Sequence, residues 1–262
     1  QWYQRGFIEP GRNKLKYLDL SPAVHTVSDG SKILGKALHD SAPSQCFSRP
    51  DLYTTEFGFE INDEIERRLF GEIDRKGAPA IRAFAQNNVE GWMRHFEDLF
   101  EYLDAQKLRT PKGLDWLRRH YPFLDQNQLM FEMQGVRMMH CTLWAEGVRE
   151  IVSAEDAGIK FLISDHPVTV FNHAAPPGHD KCVYPLDPPI SWKASQTIYP
   201  LDRDHCLILT NLEYAKQPDL PDPCSKRTNA KYYRQTLLRT DNFIHERRLT
   251  DHQVSQINYI LK

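Results

Sequence analysis

The hydrophobic period of this chain changes at Gly158, and that change limits the folds open to it. Before Gly158, Leu129, Met133, Val136, His140, Trp144, Val148 and Ile151 follow one another by 4, 3, 4, 4, 4 and 3 residues. That spacing marks one face of a long helix over about 126–152. After Gly158 the period is two, and "IKFLIS", "PVTVF", "QTIYPL" and "CLILTN" read as four strands within 158–212. Helices in one block and strands in another argue α+β, not alternating βαβ units. The expectation is a helical block packed on a mainly antiparallel sheet formed largely by residues about 158–212.

The flanks extend this order. "KLKYLDL" (14–20) and "LYTTEFGFEI" (52–61) are further strand candidates. A helix capped by Asn62 or Asp63 runs to Lys76, with Ile65, Leu69 and Ile73 on one face; Gly77 and Pro79 punctuate it. Val89, Trp92, Phe96, Leu99 and Leu103 mark another helical stretch, and Thr110-Pro111 opens a short helix. Residues 173–195, rich in proline and glycine, are a long loop of the kind that carries function or moves. Helix returns over about 228–245 and again from 251, where Thr250 and Gln253 form a capping box. The 262 residues read as a single domain, helical over about 62–152 and 228–262 and strand-rich over about 14–61 and 158–212.

A hydrophobic content of 40% and a charged content of 26% are those of a globular protein. A net charge of -2 gives no global basic excess to favour nucleic acid, though a local basic patch stays open. No apolar run reaches the roughly 20 residues of a membrane helix. Five scattered cysteines without a CxxC pair suit a reduced, cytoplasmic setting. The chain begins at Gln1, not Met, so upstream residues are expected.

The break in "KFLISDHPVTVFN" (160–172) sets Ser164, Asp165, His166 and Pro167 in a row. Pro167 pushes His166 toward extended backbone, so turn chemistry is certain there. Asp165 either accepts backbone N–H bonds in the turn or projects into a cleft as metal ligand or general base. His140, on an otherwise apolar face, needs a partner; a carboxylate from another element would make a titratable pair. Glu66 flanks an apolar stripe with Phe70 and Ile73, and is either half-buried or in a surface ion pair. Arg109 and Lys112 flank Thr110-Pro111 at a helix start, a place that suits either phosphate or ordinary capping. No P-loop, GxGxxG or HExxH motif is present.

Five pieces in order resemble one family. "QWYQRGF" (1–7) is similar to the tail of an N-terminal H-x-V-P-Q-x-Y-L-x-x-F pattern, and "IERRLFGEID" (65–74) to a helix carrying a glutamate. "AQKLRTP" (105–111) resembles Q-x-x-R-T-P, "FLISDHPV" (161–168) resembles F-x-x-S-D-x-P-V, and "IYPLDRDHCLILT" (198–210) resembles a P-L strand. These belong to the domain-of-unknown-function family 4238, found mainly in bacteria. The resemblance brings no activity with it. It marks Gln1, Glu66, Gln106, Arg109, Ser164, Asp165 and Pro167 as matches to motif positions; the histidine before V-P-Q lies upstream of Gln1.

The leading expectation is a metal-dependent hydrolase, with a nuclease in a toxin or defence setting as one form of it. Asp165, Glu66 and His140 are the catalytic candidates, and Asp165 and Glu66 would hold Mg²⁺ or Mn²⁺. Arg109, Gln106, Ser164 and His166 would meet the substrate, a nucleic acid or a phosphorylated small molecule. The rival is a non-catalytic binding module in which the Ser-Asp-His-Pro element is structural.

Overall fold

The computed structural model describes residues 2–47, 53, 55–57, 60–62, 65–86, 88–211 and 243–261. Contacts divide the chain into two units, Gln1–Pro50 and Asp51–Lys262. In the first, α1 (Trp2–Arg5) is followed by β1 (Leu15–Leu18), β2 (Val24–Thr26), β3 (Lys32–Leu34) and β4 (Leu38–Ser41). β1 pairs with β4 and β2 with β3, both antiparallel, so the alternation of "KLKYLDL" is that of a strand.

The second unit opens with an antiparallel pair, β5 (Thr55–Phe57) and β6 (Glu60–Asn62). A π-helical turn, Ile65–Phe70, leads directly into α2 (Gly71–Ala85). The expected stop at Gly77 and Pro79 does not occur. Proline there removes one ladder bond, but Ile73, Ala80, Ile81 and Phe84 are buried on the same helix, and burial outweighs local propensity. Gly77 has a packing role: a Cβ at that position would lie 2.3 Å from Cδ2 and 3.0 Å from Cβ of the fully buried Tyr102. Gly77→Ala is therefore expected to destabilise the protein by about 1–3 kcal/mol through overpacking, despite the better helix propensity of alanine. Urea denaturation midpoints of the two proteins test this, and equal midpoints would refute it.

The stretch from Val89 to Leu103 is two helices, α3 (Val89–Arg94) and α4 (Phe96–Leu108), separated at His95. α4 is the hub, with Leu99, Phe100, Tyr102, Leu103, Ala105 and Leu108 all buried. α5 (Pro111–His120) starts as expected: Thr110 Oγ1 accepts from Gly113 N–H at 3.1 Å and Pro111 takes the first position. α6 (Gln126–Val136) carries a capping box between Asp125 and Gln128.

The single helix expected over 126–152 is three elements. α6 ends at Val136, α7 spans Cys141–Glu146, and β7 spans Val148–Ser153. Met138, at φ +67°, turns the chain out of the helix. Asp104 accepts the Met138 N–H at 2.5 Å, the amide a continuing helix would have bonded to residue 134. Arg137 is also drawn away, pairing with Glu101 at 2.6 Å. Val148, Ile151 and Val152, β-branched, then suit a strand.

β8 (Thr169–Phe171), β9 (Gln196–Pro200), β10 (His205–Thr210) and β11 (Phe243–Arg248) join β7 in a five-stranded sheet of order β11-β7-β10-β9-β8. All pairings are antiparallel except β11 with β7. β10 is central, and Cys206 to Leu209 are buried on both faces. Cys206 and Ile208 join Val152, Ile198, Val254 and Leu261 in one core cluster. Val254 and Leu261 belong to α8 (Asp251–Leu261). On the opposite face Trp144 Nε1 donates to Thr197 Oγ1 at 2.9 Å, and Tyr102 meets Tyr199 edge-on. Helices thus cover both faces, and the α+β class stands.

"IKFLIS" (159–164) joins no ladder. Its backbone groups are met instead by Asn258 of α8, which accepts from Leu162 N–H and donates to Lys160 O, and by Arg203 O, which accepts from Phe161 N–H. The Thr250–Gln253 capping box is present at the start of α8. The helix expected over about 228–245 falls outside the described residues up to 242, and 243–245 belong to β11.

Candidate active site

A cavity of about 470 Å³ lies where four segments of the second unit meet. They are the end of α4, one side of α5, the turn between α6 and α7 with the start of α7, and the loop 173–195, and His166 of the Ser-Asp-His-Pro turn joins them. This volume is in the range of small-molecule sites.

His140 stands on one wall. It caps α7, which faces α4. Its Nδ1 donates to Asp104 Oδ1 at 2.6 Å; the buried carboxylate, 1% exposed, is held in turn by the Met138 N–H on Oδ2. A carboxylate can only accept, so in the neutral ring the proton sits on Nδ1 and Nε2 keeps its lone pair. Nε2 makes no hydrogen bond among the described residues. Trp144 packs against the ring at 5.5 Å between centroids. The imidazole is thus oriented on one edge and available on the other. Cys141, next in the chain, is no rival nucleophile: burial first, then Asp104 and Glu101, push its thiol up to about 12.

A second group of lining residues is cationic. Lys107, one turn beyond Asp104 on α4, and Lys112, in the first turn of α5, both bind the Asp187 carboxylate; the Lys112 Nζ–Oδ1 distance is 2.5 Å. His166 lies beside them, with Nε2 3.7 Å from Asp187 Oδ2 and Nδ1 2.7 Å from Thr110 Oγ1. A lone pair facing a carboxylate would be repelled, so the neutral ring carries its proton on Nε2 and Thr110 donates to Nδ1. Burial, with Lys107 and Lys112 close by, pulls His166 down to about 4 against the opposing pull of Asp187. Asp187 is held well below the ordinary carboxylate range by Lys107, His166 and Lys112, which overcome its own desolvation.

The sign of the resulting pH dependence is fixed. An unfolded imidazole takes its proton near 6.5, the folded one near 4. Between those values the unfolded chain binds more protons, so stability is complete above pH 6.5 and is lost as pH falls toward 4. Wild type should be about 2 kcal/mol less stable at pH 5 than at pH 7 from this group alone. His166→Gln should remove that component, read as a flatter dependence of the denaturation midpoint on pH; equal slopes would refute it. Asp187 acts only below its unfolded value of 3.8, outside this window.

The Ser-Asp-His-Pro break is an ordered turn. Ser164 Oγ donates to His166 O at 3.0 Å and accepts from His166 N–H at 3.3 Å. This directs His166 inward, where it lines the cavity, and leaves Asp165 exposed. Among the described residues no hydrogen bond or ion pair engages the Asp165 carboxylate. Glu66 lies in the Ile65–Phe70 turn, and its side chain is outside the described residues. Arg109 binds Asp74 at 2.6 Å, with its guanidinium over Phe70 and Tyr102, and it is not part of the cavity wall. Gln106 is buried beside the Tyr102 hydroxyl. Among the described residues no three histidine, cysteine, aspartate or glutamate side chains come together as metal ligands. Of the expected site residues, the structure brings His140 and His166 to one cavity.

Asp104, Lys107, Thr110 and Asp187 are the additions. One sequence signal points to Asp104: it stands between Phe100 and Leu108 at i−4 and i+4, a carboxylate on an apolar helix face. Asp187 lies in a proline-rich loop and carries no such signal.

A model of the family described as "Protein of unknown function (DUF4238)" matches residues 1–261. The chain belongs to the DUF4238 family. The match spans both units, so the cavity lies within the family's own span. No curated protein and no solved structure matches. Among the described residues no helix is long and apolar enough to cross a membrane.

Proposed function

We propose that this chain is a hydrolase whose acid–base group is His140, held by Asp104. The observation that carries the reading is the buried carboxylate 2.6 Å from Nδ1 of an imidazole that lines a ligand-sized cavity. Nε2 takes a proton from water as the water oxygen attacks the ester centre. It then returns that proton to the departing oxygen, so ester and water give an alcohol and an acid. Asp104 steadies the imidazolium between these steps. The lysines and the start of α5 favour an anionic substrate, a nucleic acid or a phosphorylated small molecule. The four described cysteines are free, which suits a reducing compartment, and we place the protein in the cytoplasm.

No step here runs through a metal. The Mg²⁺ or Mn²⁺ expected at Glu66 and Asp165 enters as an arm of the test. Wild type and His140→Gln are incubated with pooled phosphate esters, carboxylic esters, nucleotides, DNA and RNA, with either cation or with chelator, and all products are followed by mass spectrometry. One class cleaved by wild type and spared by the variant supports the reading. Identical inert profiles favour the rival, a binding module. Cleavage that persists in His140→Gln but fails in Asp165→Asn returns the chemistry to the carboxylates.

A further inference from the structure

We infer that the cavity takes a small phosphorylated molecule with an apolar or aromatic body, its phosphoryl group held at Lys107 and Lys112. This rests on the cavity's being the reaction site, and it decides between the two anionic substrate classes.

The first argument is charge. Lys107, Lys112 and Asp187 are 14%, 24% and 13% exposed, and the two ammonium groups share one carboxylate. Among the described residues no second carboxylate binds them, so one positive charge is left uncompensated in a place largely closed to water, which is costly unless an anion answers it. Each ammonium has three N–H donors, and only one on each is engaged by Asp187. His166 adds no charge to offset or augment this near neutral pH.

The second argument is an unsatisfied donor. Among the described residues the buried His166 Nε2 has no partner within hydrogen-bond distance, a rare state for a polar atom in a folded protein. It lies next to the same carboxylate, at 3.7 Å. A phosphoryl oxygen entering among the lysines brings an acceptor into this cluster, and the start of α5 adds the positive end of a helix dipole.

The third argument is shape. Beyond the charged end the wall is apolar, built by Trp116, Met139, Leu143, Pro185 and Ile190. Such a wall suits the body of an aryl or alkyl phosphate. A nucleic acid strand needs a row of cations along a groove. The remaining cation on this wall, Lys181, sits over the Trp192 ring at 5.0 Å. About 470 Å³ with one paired-lysine end holds one phosphoryl group and its substituent.

The test is calorimetric titration with phenylphosphonate, which has a P–C bond that hydrolysis spares. Inorganic phosphate, phenol and a short RNA serve as comparison ligands. Phenylphosphonate is expected to bind wild type more tightly than inorganic phosphate, and phenol not measurably. Lys112→Gln should weaken phenylphosphonate roughly tenfold or more, Lys112→Arg should retain most of the affinity, and Lys107→Gln gives an independent reading. Unfolding midpoints without ligand identify any variant whose fold has changed. Affinity equal in wild type and both glutamine variants, or RNA binding tighter than phenylphosphonate, would overturn the inference. The two readings fail separately. Lysine-dependent binding without turnover of any ester removes the hydrolase and keeps the site. Turnover of an uncharged ester that is unaffected by Lys112→Gln removes the site and keeps the hydrolase.

Discussion

His140→Gln is expected to lower turnover of the cleaved substrate by about 100- to 10,000-fold, the usual contribution of a positioned acid–base group. Glutamine is close to histidine in size, and a turn of its amide lets the NH₂, one bond farther out than Nδ1, donate to Asp104. The carboxylate therefore keeps both of its donors, and the fold should survive with a change of about 1 kcal/mol or less. Glutamine has no titratable nitrogen, so nothing remains at the Nε2 position to take a proton from water. Binding and chemistry separate cleanly here. The phosphoryl end is held by Lys107 and Lys112, side chains that His140→Gln leaves in place, so KM for an anionic substrate should move little while kcat falls. Steady-state kinetics with an unfolding curve decides the point. A kcat within about threefold of wild type would remove His140 from the chemistry.

The separation of a positioned ring from an anion-binding end explains which parts of the site were visible in the sequence. His140 stood out because it interrupts an apolar stripe, and a buried imidazole needs a partner. The partner itself sits 36 residues earlier, on α4, and helical periodicity carries no information on which elements will face each other. The same limit accounts for the difference at 126–152. Seven residues at helical spacing argue for one helix, yet Asp104 takes the Met138 amide out of the ladder from outside the segment. Gly77 departs from its local rule for a related reason, since local rules make glycine a terminator while the close crossing on Tyr102 makes it a spacer. Strands β8, β9 and β10 were legible because alternation and β-branching are local properties. "IKFLIS" has the same pattern without a ladder, because Asn258 of α8 meets its backbone first.

The "SDHP" element shows how far a motif can be read. Its turn chemistry is in place, with the Ser164 hydroxyl closing on both backbone groups of His166. Alternation of side chains across extended backbone then sets Asp165 and His166 on opposite sides. Which of the two faces inward depends on the packing of Pro167 and Val168, both buried. Here the histidine is inside and the carboxylate outside. Arg109 and Lys112 divide in the same way: α4 and α5 join between them, and one cation is turned to Asp74 while the other is turned to the cavity.

Asp104→Ala is expected to be the most destabilising single change at this site, by about 3–5 kcal/mol. It leaves the Met138 N–H without its acceptor and His140 Nδ1 without a partner. It also opens a gap on a helix whose neighbours Leu103 and Ala105 are essentially inaccessible. The α6–α7 turn, with Met138 at φ +67°, then loses the contact that holds it. Asp104→Asn separates structure from chemistry. Its amide oxygen can still accept the Met138 N–H, while its NH₂ faces His140. A donor there requires Nδ1 to accept, which moves the ring proton to Nε2 and removes the lone pair that serves as base. Asparagine should therefore cost only about 1–2 kcal/mol of stability, yet depress turnover by a factor comparable to that of His140→Gln. Urea denaturation and kcat measured on the same preparations test the pair. If Asn and Ala are equally unstable, the Met138 contact does not support the turn. If Asn retains wild-type turnover, the Asp104 carboxylate does not set the histidine's tautomer, and the acid–base assignment falls with it.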